Sequence, residues 1–282
     1  MAAALQWLFS RGYNGAVETE AHTPARRTLR DIQTHYRQGA ILSMVTCYDF
    51  ASAQLLDGCG IDMLLVGDSL GNTMLGFETT LPVTLEDMIR HGAAVRRGAP
   101  GAFIVVDMPY MTCQISHEEA LRNAGRVMQE TGCDAVKVEG GQAMAPTIRR
   151  LTDAGCPVMG HIGLTPQSIH ALGGYRLQGK EDEAAKRLMA DAVAVQDAGA
   201  FSIVIELVEQ RLSREITESL SIPTIGIGSG PGCSGQVQVL HDVLGLFPDR
   251  HLRHARRYAE VGETIRNAIR SYAEDVRTGR FP

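Results

Sequence analysis

Short runs rich in Val, Ile or Leu recur along the chain at 41–46, 63–66, 103–106, 135–138, 157–160, 203–205 and 224–227. Most are followed by Gly, Asp or Pro, residues that end a strand. The runs are continuously apolar rather than alternating, which predicts a sheet covered on both faces. Between them lie segments with helical periodicity, at 50–57, 84–97, 117–131, 143–154, 182–198 and 208–219. Strand and helix in repeated alternation predict a parallel β/α architecture, and seven such units favour a closed barrel over an open doubly wound sheet.

The two ends of the pattern are less regular. Residues 236–244 (QVQVLHDVL) read as an eighth strand or as a helix after a tight loop, since periodicity does not separate the two over so short a run. Residues 28–36 predict a short helix with Leu29, Ile32 and Tyr36 on one face. From 252 to 276, Ala255, Tyr258, Val261, Ile265, Ile269, Tyr272 and Val276 recur at steps of three or four. They predict a closing amphipathic helix with a break at Gly262 and a solvated or subunit-contacting basic face. Residues 1–27 carry no such pattern and read as a flexible tail ahead of one barrel domain over 28–282.

Composition narrows the function. A chain of 282 residues suits one α/β barrel, a fold of ~250 residues. A net charge of −5 argues against a nucleic-acid or anionic-membrane partner, and no apolar run is long enough to span a bilayer. Six cysteines without a C-x-x-C pair suggest free thiols in a reducing compartment rather than a zinc knuckle or disulfide framework. The tail has a short apolar patch at 5–9 and basic Arg11, Arg26 and Arg27, but Glu18 and Glu20 spoil a transit-peptide composition; the cytoplasm is the expected location.

In a β/α barrel the active site gathers at the C-terminal ends of the strands. Polar residues stand at those ends in VGDSLG (Asp68, Ser69), VVDMP (Asp107), AVKVEGG (Lys137, Glu139), MGHIG (His161) and IVIEL (Glu206). In AVKVEGG the two-residue period puts Lys137 and Glu139 on one face and Val136 and Val138 on the other. Asp62 and Asp134 stand where strands begin and read as solvated rim or helix-cap residues.

Asp68, Asp107 and Glu139 converging beside one lysine would repel one another without a cation; the bland alternative is three separate salt bridges. An all-oxygen set suits Mg2+, which keeps positions open for water and substrate oxygens. Such an ion chelates a 2-oxo acid and makes the neighbouring C–H removable. Glu206 stands apart and suits the role of base, with apolar Ile203, Ile205 and Leu207 expected to raise its pKa; pairing with an arginine is the alternative. Lys137 suits a point charge for the substrate carboxylate or enolate oxygen. His161 reads as a proton relay behind the ligands or as a satisfied core histidine. The glycine-rich segment 225–235 reads as a phosphate cradle or a close backbone approach to a flat ligand, and the long segment 161–180 as a cover for the mouth.

VGDSLG (66–71), TLPVTLEDM (80–88), VVDMP (105–109), VKVEGG (136–141), GHIGLTPQS (160–168), GGYRLQGK (173–180) and IPTIGIGSG (222–230) together resemble the ketopantoate hydroxymethyltransferase family, in order and spacing, from about Leu29 to the C-terminus. The resemblance implies a (βα)8 TIM barrel of the phosphoenolpyruvate/pyruvate superfamily type. By position it implies Asp68, Asp107 and Glu139 as magnesium ligands, Asp68, Ser69, Asp107 and Lys137 as substrate contacts, and Glu206 as proton acceptor. It further implies 5,10-methylenetetrahydrofolate as co-substrate, 3-methyl-2-oxobutanoate as acceptor, 2-dehydropantoate as product, and a homo-oligomer, often a decamer. A Mg-dependent 2-oxo acid lyase or mutase on the same scaffold is the alternative. Ser229, Ser234 and Cys47 depart from the family's usual alanine, aspartate and alanine, and the second of these bears on loop structure or folate contacts.

Overall fold

Eight strands close into an all-parallel barrel in chain order: β1 (Leu42–Thr46), β2 (Met63–Val66), β3 (Phe103–Asp107), β4 (Ala135–Glu139), β5 (Val158–Gly163), β6 (Ser202–Glu206), β7 (Thr224–Ile227) and β8 (Gly235–Gln238), with β8 returning to β1. They belong to a computed structural model that describes residues 26–249 and 255–282. Alternate side chains divide between two cores. Met44, Met63, Leu65, Phe103, Val105, Ala135, Met159, Val204, Ile225 and Val237 fill the barrel. Val45, Leu64, Val66, Ile104, Val106, Val136, Val138, Val158, Ile203 and Ile205 pack outward under the helices. Both faces are therefore buried, which is why the runs lack alternation.

The ambiguous run at 236–244 contains both readings in succession. β8 ends at Gln238 and a short helix spans Leu240–Val243, where the Leu240 N–H donates to Thr46 Oγ1 on β1 at 3.0 Å. A side-chain acceptor there takes over from the strand ladder. The helix Leu29–Arg37 starts on a capping box between Thr28 and Asp31, and Leu29, Ile32 and Tyr36 pack onto the inner cluster as their spacing predicts.

The closing helix is shorter than expected, spanning Val261–Thr278. Residues 252–254 of the expected helix lie outside the described residues, and 255–260 are not helical. The helix begins where a break is predicted, because Gly262 lets its first turn approach the carbonyls of Gly245 and Leu246. Its apolar stripe of Ile265, Ile269, Tyr272 and Val276 is exposed.

The strand-start acids are not solvated caps. Asp134 receives Arg26, Arg96 and the Ile104 N–H, and Asp62 receives Arg27, the Ser43 N–H and the Ser43 hydroxyl. Arg26 and Arg27, which fall in the expected tail, are thus tied to the barrel floor; residues 1–25 of that tail lie outside the described residues. Among the described residues no helix is long and apolar enough to cross a membrane.

Candidate active site at the barrel mouth

The inward register of each strand carries its last polar residue into the mouth. Asp107 stands opposite Lys137, Glu139 opposite His161, and Gly163 opposite Glu206, while Asp68 follows β2 by two residues. Asp68, Asp107, Lys137, Glu139 and His161 are all buried. The charges expected from sequence therefore do converge, each with little exposed surface.

Lys137 Nζ lies 3.1 Å from Asp107 Oδ1, and the Asp68 N–H donates to Asp107 Oδ2 at 3.0 Å. His161 Nδ1 lies 3.1 Å from Glu139 Oε1 and 3.2 Å from Lys137 Nζ. Its Nε2 lies 3.2 Å from Glu206 Oε2, within ion-pair range though not aligned as a hydrogen bond. Burial and Lys137 would lower the His161 pKa, but Glu139 and Glu206 overcome both and hold it up at about 9. At neutral pH the ring is a cation that donates Nδ1–H to Glu139, and its approach to Lys137 is a contact of two cations held by acids.

The same field acts on the carboxylates. Burial, then Glu139 and Asp107, push Asp68 well above the usual carboxylate range. Burial also raises Asp107, partly opposed by Lys137. Glu139 is held low: burial would raise it, but His161 and Lys137 prevail. Lys137 is raised despite burial, by Asp107, Glu139 and Asp68.

Glu206 sits at the rim, its side chain 18% exposed, and its surroundings differ from those expected. Ile203 and Ile205 face the helix layer, on the other side of β6, while Leu207 and Ile227 line the cavity with Glu206 and His161 Nε2 meets the carboxylate. The next residue, Leu207, holds φ at +46°, a left-handed conformation that costs a non-glycine residue roughly 1–3 kcal/mol. Its N–H donates to the Ile227 carbonyl and its own carbonyl accepts from the Gln178 N–H, which maintain the turn.

These groups line a cavity of about 950 Å³, together with Ser69. Ser69 Oγ lies 2.9 Å from the hydroxyl of Tyr48, a fully buried phenol whose pKa burial raises to about 12. The long segment after β5 adds Pro166, Tyr175, Arg176 and Leu177 to the cavity wall, as a cover would. From the glycine-rich segment Ile227 joins the cavity lining. Ser229 donates from Oγ to the Ile205 carbonyl and accepts from the Val208 N–H. Ser234 exchanges hydrogen bonds with Thr224 at the start of β7, at the far end of the barrel from the mouth.

Two site residues escape a reading by charge. Tyr48 follows β1 in a run that reads as apolar. Gln167 is neutral, yet it bonds Asp68, Glu139 and the Met108 carbonyl. Its only sequence signal is its place in GHIGLTPQS. Among the described residues, no three His, Cys, Asp or Glu side chains are spaced to hold an ion by themselves, so the acids share one mouth without forming a closed cage.

A parallel (βα)8 barrel with buried acids, a lysine and a carboxylate-bound histidine at its C-terminal mouth defines a (βα)8-barrel enzyme. Solved structures of that class share the fold. Phosphonopyruvate hydrolase in complex with oxalate and Mg++ aligns with TM-score 0.60 at 10% identity over 90% of this chain and 88% of its own. The phosphoenolpyruvate mutase/isocitrate lyase superfamily member 2,3-dimethylmalate lyase aligns with TM-score 0.59 at 15% identity over 90% and 89%. Sequence is more specific. The ketopantoate hydroxymethyltransferase family model matches residues 26–282. The 3-methyl-2-oxobutanoate hydroxymethyltransferase of Chloroflexus aurantiacus is 55% identical over 257 residues, covering 91% of each chain. That of Gluconacetobacter diazotrophicus is 54% identical, covering 91% of this chain and 92% of its own. The chain belongs to the ketopantoate hydroxymethyltransferase family.

Proposed function

We propose that this chain transfers a one-carbon unit from 5,10-methylenetetrahydrofolate to C3 of 3-methyl-2-oxobutanoate, giving 2-dehydropantoate for pantothenate biosynthesis. The observation that carries the reading is a separation of roles. Asp68, Asp107 and Glu139 cluster with Lys137 inside the barrel, while Glu206 stands at the rim, reached through His161.

The residues fit a magnesium ion. Asp107 Oδ1 is buried with only Lys137 Nζ nearby, 3.1 Å away and not aligned as a hydrogen bond, and burial together with Glu139 and Asp107 raises the Asp68 pKa, a penalty that a cation at the mouth would relieve. With all four acids ionised, the charges of Lys137 and His161 leave two negative charges uncompensated, the charge of one divalent ion. An oxygen-only donor set suits Mg2+, which binds through one or two carboxylates and keeps several waters, so a mouth without a three-acid cage is compatible with it. Asp68, Asp107 and Glu139 would hold the ion, directly or through its waters. Bound there, it would polarise the keto oxygen and acidify the C3–H.

The protein's own groups supply the rest. Lys137 neutralises the substrate carboxylate or the oxygen on which charge develops. Ser69, backed by Tyr48, offers a hydroxyl at the same wall. Glu206 removes the C3 proton, and the His161 cation beside it steadies the carboxylate before transfer. The new C–C bond joins C3 to the folate-derived carbon and water supplies the hydroxyl oxygen. The C3 proton and one water proton end on the two folate nitrogens. A cavity of about 950 Å³ leaves room for both reactants. The exposed stripe Ile265, Ile269, Tyr272 and Val276 supports a homo-oligomer, and the cysteine pattern and absence of a described membrane-spanning helix are compatible with a cytoplasmic enzyme.

The test is product formation by purified protein with Mg2+, 3-methyl-2-oxobutanoate and the folate. Folate-dependent appearance of 2-dehydropantoate is expected. Folate-independent cleavage or rearrangement of a 2-oxo acid would replace this reading with the lyase or mutase alternative.

A further inference from the structure

Gln167 carries no charge, yet it touches three strand ends at once. It lies in the turn Pro166–Ser168 beyond β5 and is only 6% exposed. Its Nε2 donates to Asp68 Oδ2 and to the Met108 carbonyl, both at 2.9 Å. Its backbone N–H donates to Glu139 Oε2 at 3.0 Å. The Met108 carbonyl can only accept, which fixes the amide with nitrogen toward it and Oε1 away. That Oε1 is buried and meets no donor among the described residues.

We propose that Gln167 positions Asp68 and Glu139 for a hydrated divalent cation, and that its Oε1 accepts from a water of that ion. The proposal rests on the magnesium reading above. Asp68 and Glu139 come from strands separated by β3 and repel each other, so something must hold them together. A lysine in this place would neutralise them and compete with the ion. An amide donor fixes both carboxylates and leaves their charge and remaining lone pairs free. The orphaned Oε1 points to the ligand's chemistry as well. A buried acceptor without a donor is costly, and a 2-oxo acid anion presents only acceptors at its carboxylate and keto oxygens. Water bound to a divalent ion presents O–H donors.

The experiment titrates Mn2+ into substrate-free protein and reads free Mn2+ by paramagnetic resonance, for wild type, Gln167→Met and Gln167→Ala. Met keeps the side chain's length without its donors; Ala removes both length and donors but keeps the backbone bond to Glu139. Mn2+ binding weaker by about 10–100-fold is expected in both. The Mg2+ concentration for half-maximal turnover should rise by a similar factor. A turn that merely packs would lower kcat and the melting temperature and leave ion affinity in place. Folded variants that bind Mn2+ like wild type overturn the role of Gln167, as does failure of both variants to fold. A wild-type protein that binds no Mn2+ removes the magnesium reading itself.

Discussion

Replacing Lys137 with Met isolates what one buried cation contributes among the acids of the mouth. Its Nζ lies 3.1 Å from Asp107 Oδ1, and each side chain is 4% exposed. A unit pair at that separation is worth about 5 kcal/mol at an effective dielectric of ~20. Removing one partner of a buried ion pair costs about 3–5 kcal/mol by comparison with other proteins. Methionine keeps most of the stem's length and apolar bulk, so the loss is electrostatic. A deficit of about 3–5 kcal/mol near pH 8 corresponds to a melting temperature lower by roughly 6–20 °C for a chain of this size.

The sign of the pH dependence follows from the two sides of the pair. The folded-state pKa of Lys137 is raised, so its contribution is fully present below the unfolded lysine pKa, which includes the whole assay range. In the variant Asp68 and Asp107 rise further. Their penalty is absent when they are protonated and appears as pH climbs through their raised values. Melting in chelator near pH 8 should therefore separate variant from wild type widely, and melting near pH 5 should narrow the gap. A double-mutant cycle with Asp107→Asn assigns the coupling to this pair. A variant that melts with wild type near pH 8 would refute the clustering of uncompensated acids.

Gly163 faces Glu206 across the β5–β6 ladder at φ +94°, and a Cβ there would meet the Glu206 carbonyl and Val208. Gly163→Ala should lose about 1–3 kcal/mol of stability from overpacking alone, with a fall in kcat exceeding any change in Mg2+ affinity; unaltered kcat would show that the rim does not depend on this approach. Because burial and the neighbouring acids raise the Asp68 pKa, Mg2+ binding below that raised pKa should release protons and tighten as pH rises. Calorimetry in buffers of different ionisation enthalpy measures the release, and pH-independent affinity would contradict it.

The barrel was legible because a strand buried on both faces writes a continuous apolar run, as in Phe103–Asp107 and Ser202–Glu206. β8 was not, since its four residues alternate between buried and half-buried and run almost directly into a helix. The charged residues of the mouth stood out because an acid or lysine on the inner face of an apolar barrel requires a partner. Gln167 did not, being neutral and 99 residues from Asp68 in the chain. The misplacing of Ile203 and Ile205 beside Glu206 has a simple cause. Ile203 and Ile205 are odd positions on a strand whose inward residues, Val204 and Glu206, are even, so parity already sends them outward.

The proposed division of labour has Glu206 taking the C3 proton while a separate set of acids holds the ion. Exchange of that proton from 3-methyl-2-oxobutanoate into deuterated water, followed by proton magnetic resonance with and without Mg2+, separates the two roles. Wild type is expected to exchange only with Mg2+, and Glu206→Gln to lose exchange by at least about 100-fold with Mn2+ affinity unchanged. Exchange at the wild-type rate in Glu206→Gln would assign the proton to another group.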